Sequence, residues 1–209
     1  MARKNNNDKP AEYINTDDEC VNVAISALKQ VITGFCEDRN EGKSNGGEVF
    51  TPHWTVVKMN NMADDKLTDI NSKVLDLCCG TGNITIDILR RKLTGALHAS
   101  QNNINDMAAL AGNICIACSS VYAVDIVKYS IIICRDRLMK LASAFLDSLI
   151  DLNYLNQSVK EQICTYLKQI FGLNIIWGDV INKKQFTEVE DKKEEKPLQY
   201  FNWQTRCYE

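Results

Sequence analysis

The sequence predicts an α/β domain built on a parallel sheet. Three short apolar runs, Val74–Leu77, Val121–Asp125 and Asn174–Trp177, have the length of buried strands. Stretches with helical spacing of apolar residues separate these runs, and such alternation is typical of parallel strands joined by right-handed crossovers. We therefore expect an incomplete parallel sheet with helices on both faces. The chain has 209 residues, which is enough for one domain of ordinary size.

The composition is that of a soluble globular protein, with 45% hydrophobic and 24% charged residues. The formal net charge of −3 excludes a global positive field that would attract nucleic acid. Nine scattered cysteines, many of them in apolar runs, favour free thiols in a reducing cytoplasm. Cys115 and Cys118 form a lone C-x-x-C without a second pair, so we expect no metal site. No stretch is apolar and long enough to cross a membrane.

Residues 1–45 are predicted to be a lead-in followed by an amphipathic helix. Thr16 and Glu19 form a capping box, and apolar residues then recur at helical spacing to about Cys36. The main domain is expected to occupy residues 46–209. At its start, Thr51 is the predicted cap and Pro52 the predicted first residue of a helix.

The first strand, Val74–Leu77, leads into a turn with two glycines and then a helix over Asn83–Leu93. We expect Arg90, Arg91 and Lys92 to lie at the carboxyl end of this helix, where positive charge suits the dipole. Further helices are predicted over Met107–Cys118, Val127–Leu149 and Ser158–Phe171. The mixed-charge run Glu188–Lys196 is expected to be a solvated loop or a fraying helix.

Polar clusters follow all three strands, at the sheet edge where α/β proteins bind ligands. Asp76, Gly80 and Gly82 form a D-x-x-x-G-x-G pattern, which lacks the third glycine of the dinucleotide fingerprint. The pattern favours a nucleoside ligand without a pyrophosphate, and S-adenosylmethionine fits best.

Each cluster has an expected role. Asp76 would hold the turn or the ammonium group of the ligand, and Asp125 would accept hydrogen bonds from the ribose. Asp179 would accept from the adenine amino group, and Ile126 and Val180 would sandwich the ring. The alternative is that these acids only terminate strands or cap helices. For Asp179 the two interpretations have about equal weight.

Five segments resemble N6-adenine DNA methyltransferases of restriction-modification systems. The similarity is to type I modification subunits and to fused type II restriction-methylation enzymes, and it extends over residues 16–205. The segments, in the family's order, are Gly47–Pro52, Leu75–Asn83, Tyr122–Ile126, Asn174–Val180 and Tyr200–Trp203. The family often has Pro or Ala where Leu77 and Cys78 stand.

The resemblance implies a Rossmann-like S-adenosylmethionine-dependent methyltransferase fold and a set of cofactor-binding residues. Phe50 to Pro52 would line the methionine end of the cofactor, and Asp76, Gly80 and Asn83 would bind its amino acid portion. The full predicted set is Phe50, Thr51, Pro52, Asp76, Cys78, Gly80, Gly82, Asn83, Asp125, Ile126, Asp179 and Val180.

The family's catalytic motif, N-P-P-Y, does not occur in this sequence. The three prolines are Pro10, Pro52 and Pro197, so none are adjacent. The resemblance therefore implies a cofactor-binding part that is truncated before the catalytic motif, with the first strand left at a sheet edge. DNA would be contacted through a missing or separate recognition domain, and a second chain would supply catalysis. The alternatives are an inactive remnant or partner-binding module, and a methyltransferase for a small molecule or a protein.

Overall fold

The chain forms an α/β fold with a mixed five-stranded sheet. The structure is a computed structural model that describes residues 22–23, 26, 51–190 and 192–208. The predicted helix before Cys36 thus lies almost entirely outside the described residues. Asn22, Val23 and Ser26 are described, and all three are helical and exposed.

Between residues 51 and 208, the described residues form six α-helices and seven strands. The helices are α1 (His53–Asn61), α2 (Asp64–Thr68), α3 (Asn83–Ser100), α4 (Met107–Ser119), α5 (Lys128–Asp151) and α6 (Gln157–Asn174). The sheet contains β1 (Val74–Leu77), β2 (Val121–Asp125), β3 (Ile175–Asp179), β4 (Lys184–Val189) and β5 (Lys192–Pro197). Two short strands, β6 (Phe201–Asn202) and β7 (Cys207–Tyr208), pair separately.

Strand order in the sheet is β1-β2-β3-β4-β5. β1, β2 and β3 are parallel, as predicted, with Leu77 opposite Val124 and Asp125 opposite Trp177. β4 and β5 form an antiparallel hairpin that pairs with β3. The predictions of a purely parallel sheet and of a loop or helix over Glu188–Lys196 were therefore wrong. The first strand lies at the sheet edge within the described residues, which agrees with the expected order.

Cross-strand contacts explain the hairpin. Lys184 on β4 forms an ion pair with Glu195 on β5, and Phe186 packs edge-on against Trp177 of β3 with 5.3 Å between ring centroids. Lys193 lies over the Phe186 ring, with its Nζ 3.5 Å from the centroid. These contacts form across neighbouring strands, so the charged composition alone does not reveal the strands.

The described helices pack into one buried cluster on one face of the sheet. Val121, Ala123 and Ile175 supply the strand side of this cluster, and side chains from α2 to α6 and from the connecting loops supply the rest. Helices on both faces were predicted, and for the described residues that is wrong. Because the chain moves from β1 to β2 to β3 in one direction, right-handed crossovers bring both connections to the same face.

The opposite face of the sheet is covered unevenly. Tyr122 and Val124 on β2 are buried, and the Tyr122 hydroxyl donates to the backbone carbonyl of Phe201 at 2.8 Å. Their parallel neighbours on β1, Leu75 and Leu77, are 41% and 52% exposed. The edge strand therefore presents apolar side chains to solvent on this face.

Basic residues of α3 lie within the helix rather than at its end. α3 extends to Ser100, which is seven residues beyond the predicted Leu93. Lys92 is fully buried, and its ammonium group donates to the backbone carbonyls of Lys66, Asp69 and Ser72. Desolvation lowers the pKa of Lys92 to about 8. The expected role in compensating the helix dipole was wrong, because this side chain holds the loop before β1.

Arg91 is also buried and belongs to an ion-pair cluster with Asp87 and Asp64. Asp87 accepts from Arg91 at 2.9 Å, from Arg90 at 2.6 Å and from the Asn60 amide at 2.8 Å. Burial alone would raise the pKa of Asp87, but these partners lower it below its usual value. The cluster fixes α1 and α2 against α3.

Within the described residues, every helix is too short or too polar to span a bilayer.

Candidate functional site at the carboxyl ends of the parallel strands

The turn between β1 and α3 contains three residues in the left-handed region. Cys78, Gly80 and Gly82 have φ values of 60°, 54° and 92°. A Cβ atom at Gly82 would stand 2.6 Å from the Cys134 sulfur, so the position excludes side chains for steric and conformational reasons alike. The pKa of the neighbouring Cys79 thiol is raised, mainly by its hydrogen bond with the Cys134 thiol and to a smaller extent by burial. Gly82 is the N-cap of α3, and no side chain caps the helix there.

Asp125, the last residue of β2, connects two turns. One carboxylate oxygen accepts from the backbone N–H of Gly80 and the other from the N–H of Val127, each at 2.8 Å. The first bond fixes the glycine turn against β2, and the second orders the start of α5. Each oxygen keeps a further lone pair, so Asp125 can still accept a hydrogen bond from a ligand.

Asp76 lies on the same face of the sheet as Asp125. It is opposite Ala123 on β2, and Ala123 and Asp125 share a face because they are two residues apart. Its carboxyl group is buried and accepts from the Thr85 hydroxyl at 2.6 Å. Desolvation, together with the charge of Asp125, raises the pKa of Asp76 to about 6 despite that hydrogen bond. The two carboxyl groups make this edge of the sheet favourable for a cation.

The segment before α1 reaches the same turn. The Asn83 side-chain amide donates to the backbone carbonyl of Thr51 at 3.2 Å. The predicted capping by Thr51 was wrong: Pro52 occupies the N-cap position of α1, with no side-chain cap, and its carbonyl accepts from Thr55 and Val56. Phe50 lies outside the described residues.

Arg137 on α5 holds the turn from the other side. Its guanidinium group donates to the Thr81 carbonyl at 2.8 Å and to the Asn83 side-chain oxygen at 2.9 Å. The side chain is buried. In the sequence, Arg137 belongs to the helix that follows Tyr122–Ile126 in the family resemblance, but neither the resemblance nor the local pattern gives it an individual role.

Asp179 has a structural role in the described turn. Its two carboxylate oxygens accept from the backbone N–H and the side-chain amide of Asn182, at 3.0 and 2.6 Å. These bonds lower the pKa of Asp179. Both oxygens thus serve the turn between β3 and β4, which is the turn-forming alternative, although remaining lone pairs would allow a further contact.

Apolar side chains surround the strand ends. Ile126, which follows β2, is 59% exposed, and its carbonyl accepts from the indole of Trp177 at 3.0 Å. Val180, which follows β3, is half-buried, and Cys78 is exposed. The structure therefore brings the predicted residues of the three strands to one sheet edge. The site combines two carboxyl groups, a bare backbone turn and apolar surface.

Within the described residues, no group of three His, Cys, Asp or Glu side chains is arranged to hold a metal ion. The site residues named above supply carboxylates and backbone N–H groups, which suit hydrogen bonding and charge neutralisation.

No family model, curated protein or solved structure matches this chain.

Proposed function

We propose that this chain is the S-adenosylmethionine-binding portion of a site-specific DNA adenine-N6 methyltransferase of a restriction-modification system. The observation that carries the proposal is the link between Asp125 and the backbone N–H of Gly80, which joins an acid-ended strand to a glycine turn of an adjacent parallel strand. Ligands of open α/β sheets bind beyond such strand ends. A Rossmann-like methyltransferase fold is part of this proposal.

The charges at this site suit the cofactor chemically. S-adenosylmethionine carries a positive sulfonium and a positive ammonium group, and Asp76 and Asp125 supply the negative charge. Asp76 would bind the ammonium group, and Asp125 would accept from the ribose hydroxyls. Ile126 and Val180 would contact the adenine ring. Cys78, Gly80, Gly82 and Asn83 would line the turn against the amino acid portion, with Phe50, Thr51 and Pro52 at the methionine end. The adenine contact of Asp179 stays a prediction.

When bound, the cofactor would supply the methyl group. The acceptor, adenine N6, holds its lone pair in the ring system, so the family presents hydrogen-bond acceptors to the amino group of a flipped base. This sequence has no adjacent prolines and hence no N-P-P-Y. The proposed activity therefore requires that the motif and DNA recognition be supplied from outside these 209 residues.

A second candidate is a catalytically inactive module that binds the cofactor or folds onto a modification complex. The missing catalytic motif favours it. The third interpretation, a methyltransferase for another substrate, does not account for the Gly47–Pro52 segment. We place the protein in the cytoplasm, and the seven free cysteines of the described residues support that proposal.

Titration calorimetry with S-adenosylmethionine tests the proposal. We expect saturable binding that Asp125→Ala weakens at least tenfold and that the exposed control Asp136→Ala leaves unchanged. Absence of heat, or equal affinity of the two variants, would rule out the cofactor role. Because Asp76 must be ionised to hold an ammonium group, affinity should also fall as the pH drops below about 6.

A second experiment separates the two candidates. The chain is mixed with the protein encoded beside it, adenine-containing duplex DNA and radiolabelled S-adenosylmethionine. Label transfer to DNA that requires both proteins supports the split enzyme. Cofactor binding without transfer supports the inactive module.

A further inference from the structure

We propose that a cavity at the amino-terminal edge of the sheet binds a small planar aromatic anion of one or two rings. The cavity has a volume of about 260 Å³ and lies among the loop before β1, the end of α4, α6 and the segment after β5. It is smaller than the roughly 300–1,000 Å³ of pockets for drug-sized ligands, which limits the size of the ligand.

Aromatic side chains form the walls. Tyr166 of α6 and Trp203 meet edge to face, with 5.6 Å between ring centroids and 73° between ring planes. Tyr122 of β2 also lines the cavity. Rings that enclose a cavity favour a flat apolar ligand, because stacked and edge-on contacts both stabilise it.

Hydrogen bonds hold these walls in place. The Trp203 indole donates to the Asn174 side-chain oxygen at 2.8 Å, and the Asn174 amide donates to the carbonyls of Ser119 and Val121, each at 2.9 Å. Asn174 is fully buried. Since this network fixes the Trp203 ring, a ligand would lose little free energy in ordering that wall of the cavity.

The polar part of the lining favours an anion. Lys73 is the cationic side chain of the described residues that line the cavity, and none of them is acidic. Asn71 and Gln204, whose side chains carry amide donors, also line the cavity. A carboxylate on the ring would combine an ionic contact with these donors.

This cavity is separate from the proposed cofactor site. Lys73 and Ser120 precede β1 and β2, whereas Asp76 and Asp125 lie towards or at the ends of those strands. At about 3.3 Å per residue, Lys73 lies roughly 10 Å from Asp76 along β1, and Ser120 lies roughly 17 Å from Asp125 along β2. A ligand at the amino edge is therefore too distant to exchange a group with the other edge, and its binding does not depend on the proposed function.

The test uses 1-naphthoate and its neutral counterpart 1-naphthamide as probes, followed by two-dimensional amide NMR of the full chain. We expect saturable binding of naphthoate, with the largest shifts at Ser119, Ser120 and the Trp203 indole. Lys73→Gln should weaken naphthoate binding about tenfold and leave naphthamide unchanged, whereas Lys168→Gln, an exposed lysine on α6, should change neither. Tyr166→Leu should weaken both probes.

Three results would overturn this inference: no saturable shifts, shifts centred elsewhere, or equal affinity for the acid and the amide. Naphthoate binding should persist in Asp125→Ala, the variant designed to lose S-adenosylmethionine. If the cofactor fails to bind while naphthoate binds, only the proposed function fails, and the reverse pattern removes only the aromatic site.

Discussion

The carboxylate of Asp125 accepts a hydrogen bond of 2.8 Å from the backbone N–H of Gly80, so the end of β2 holds the turn that follows β1. A charged acceptor makes such a bond stronger than a neutral one. Asp125→Ala removes this bond and the one to Val127 and should lower the free energy of unfolding by about 2–3 kcal/mol. Urea denaturation measures the change, and Asp136→Ala should cost less than about 0.5 kcal/mol. Equal loss in both variants would contradict the bridging role.

Gly82 should tolerate no side chain. Gly82→Ala combines a left-handed backbone with a Cβ 2.6 Å from the Cys134 sulfur, so we expect a loss of about 2–4 kcal/mol. The double variant with Cys134→Ala should recover the steric part only. Gly112→Ala is the matched control, because Gly112 lies in α4 with open space at the Cβ position. It should stabilise the helix by about 0.5–1 kcal/mol.

Asp76 should make stability depend on pH. Its pKa rises from 3.8 to about 6 on folding, so its stabilising contribution is complete below pH 4 and is lost as the pH rises through about 6. Asp76→Asn removes this titration and keeps an oxygen for the Thr85 hydroxyl. The free energy of unfolding of wild type should fall between pH 4 and pH 7, whereas that of the variant lacks this contribution. The difference between the two should therefore change by about 2–3 kcal/mol in favour of the variant. Parallel pH profiles of the two proteins, from urea unfolding, would refute the prediction.

Lys92→Met should destabilise the protein by about 3–5 kcal/mol. The substitution leaves the carbonyls of Lys66, Asp69 and Ser72 without the ammonium donor that holds them. Amide hydrogen exchange should show faster exchange in the loop between α2 and β1. Lys58→Met, at an exposed position of α1, should change neither quantity. Unchanged exchange in the loop would show that Lys92 is not its anchor.

Leu75→Lys should reduce self-association of the chain. Leu75 is 41% exposed on the edge strand, beside an apolar cavity of about 260 Å³ that it shares with Tyr122, Tyr200 and Phe201. A charge on an edge strand hinders pairing with other strands. Analytical ultracentrifugation measures the effect. Ile132→Lys is the control, because Ile132 is 53% exposed but lies on α5. If both lysines act equally, general surface hydrophobicity rather than the strand edge causes association.

Local patterns identified the parallel strands and most helices. β1 and β2 have the predicted bounds, and α4 ends one residue later than predicted. β3 begins at Ile175 rather than Asn174 and continues to Asp179. Asn174 ends α6 instead, where its side chain connects Trp203 with β2. A partner 29 residues away determines this outcome, and local propensity does not contain it.

Some of the site residues could likewise be predicted from local sequence patterns, and others depend on the three-dimensional structure. The glycine turn and its two acids follow from spacing, because the carboxyl ends of parallel strands meet at one edge. The hydrogen bond from Arg137 to that turn depends on three-dimensional packing. The hydrogen bond from Asn182 to Asp179 depends on short-range turn geometry. The burial of Arg91 and Lys92 likewise depends on α2 and the loop after it. The partners of these two side chains there lie more than 20 residues earlier in the chain in most of the contacts.

The two edge strands of the sheet, β1 and β5, differ in composition. β5 consists of charged residues and a terminal proline, all of them exposed, and lysine and proline at a margin oppose the recruitment of another strand. β1 has neither residue type within its four positions. Among the described strands, a further strand would therefore add more readily at β1 than at β5, so growth of the sheet has a preferred direction.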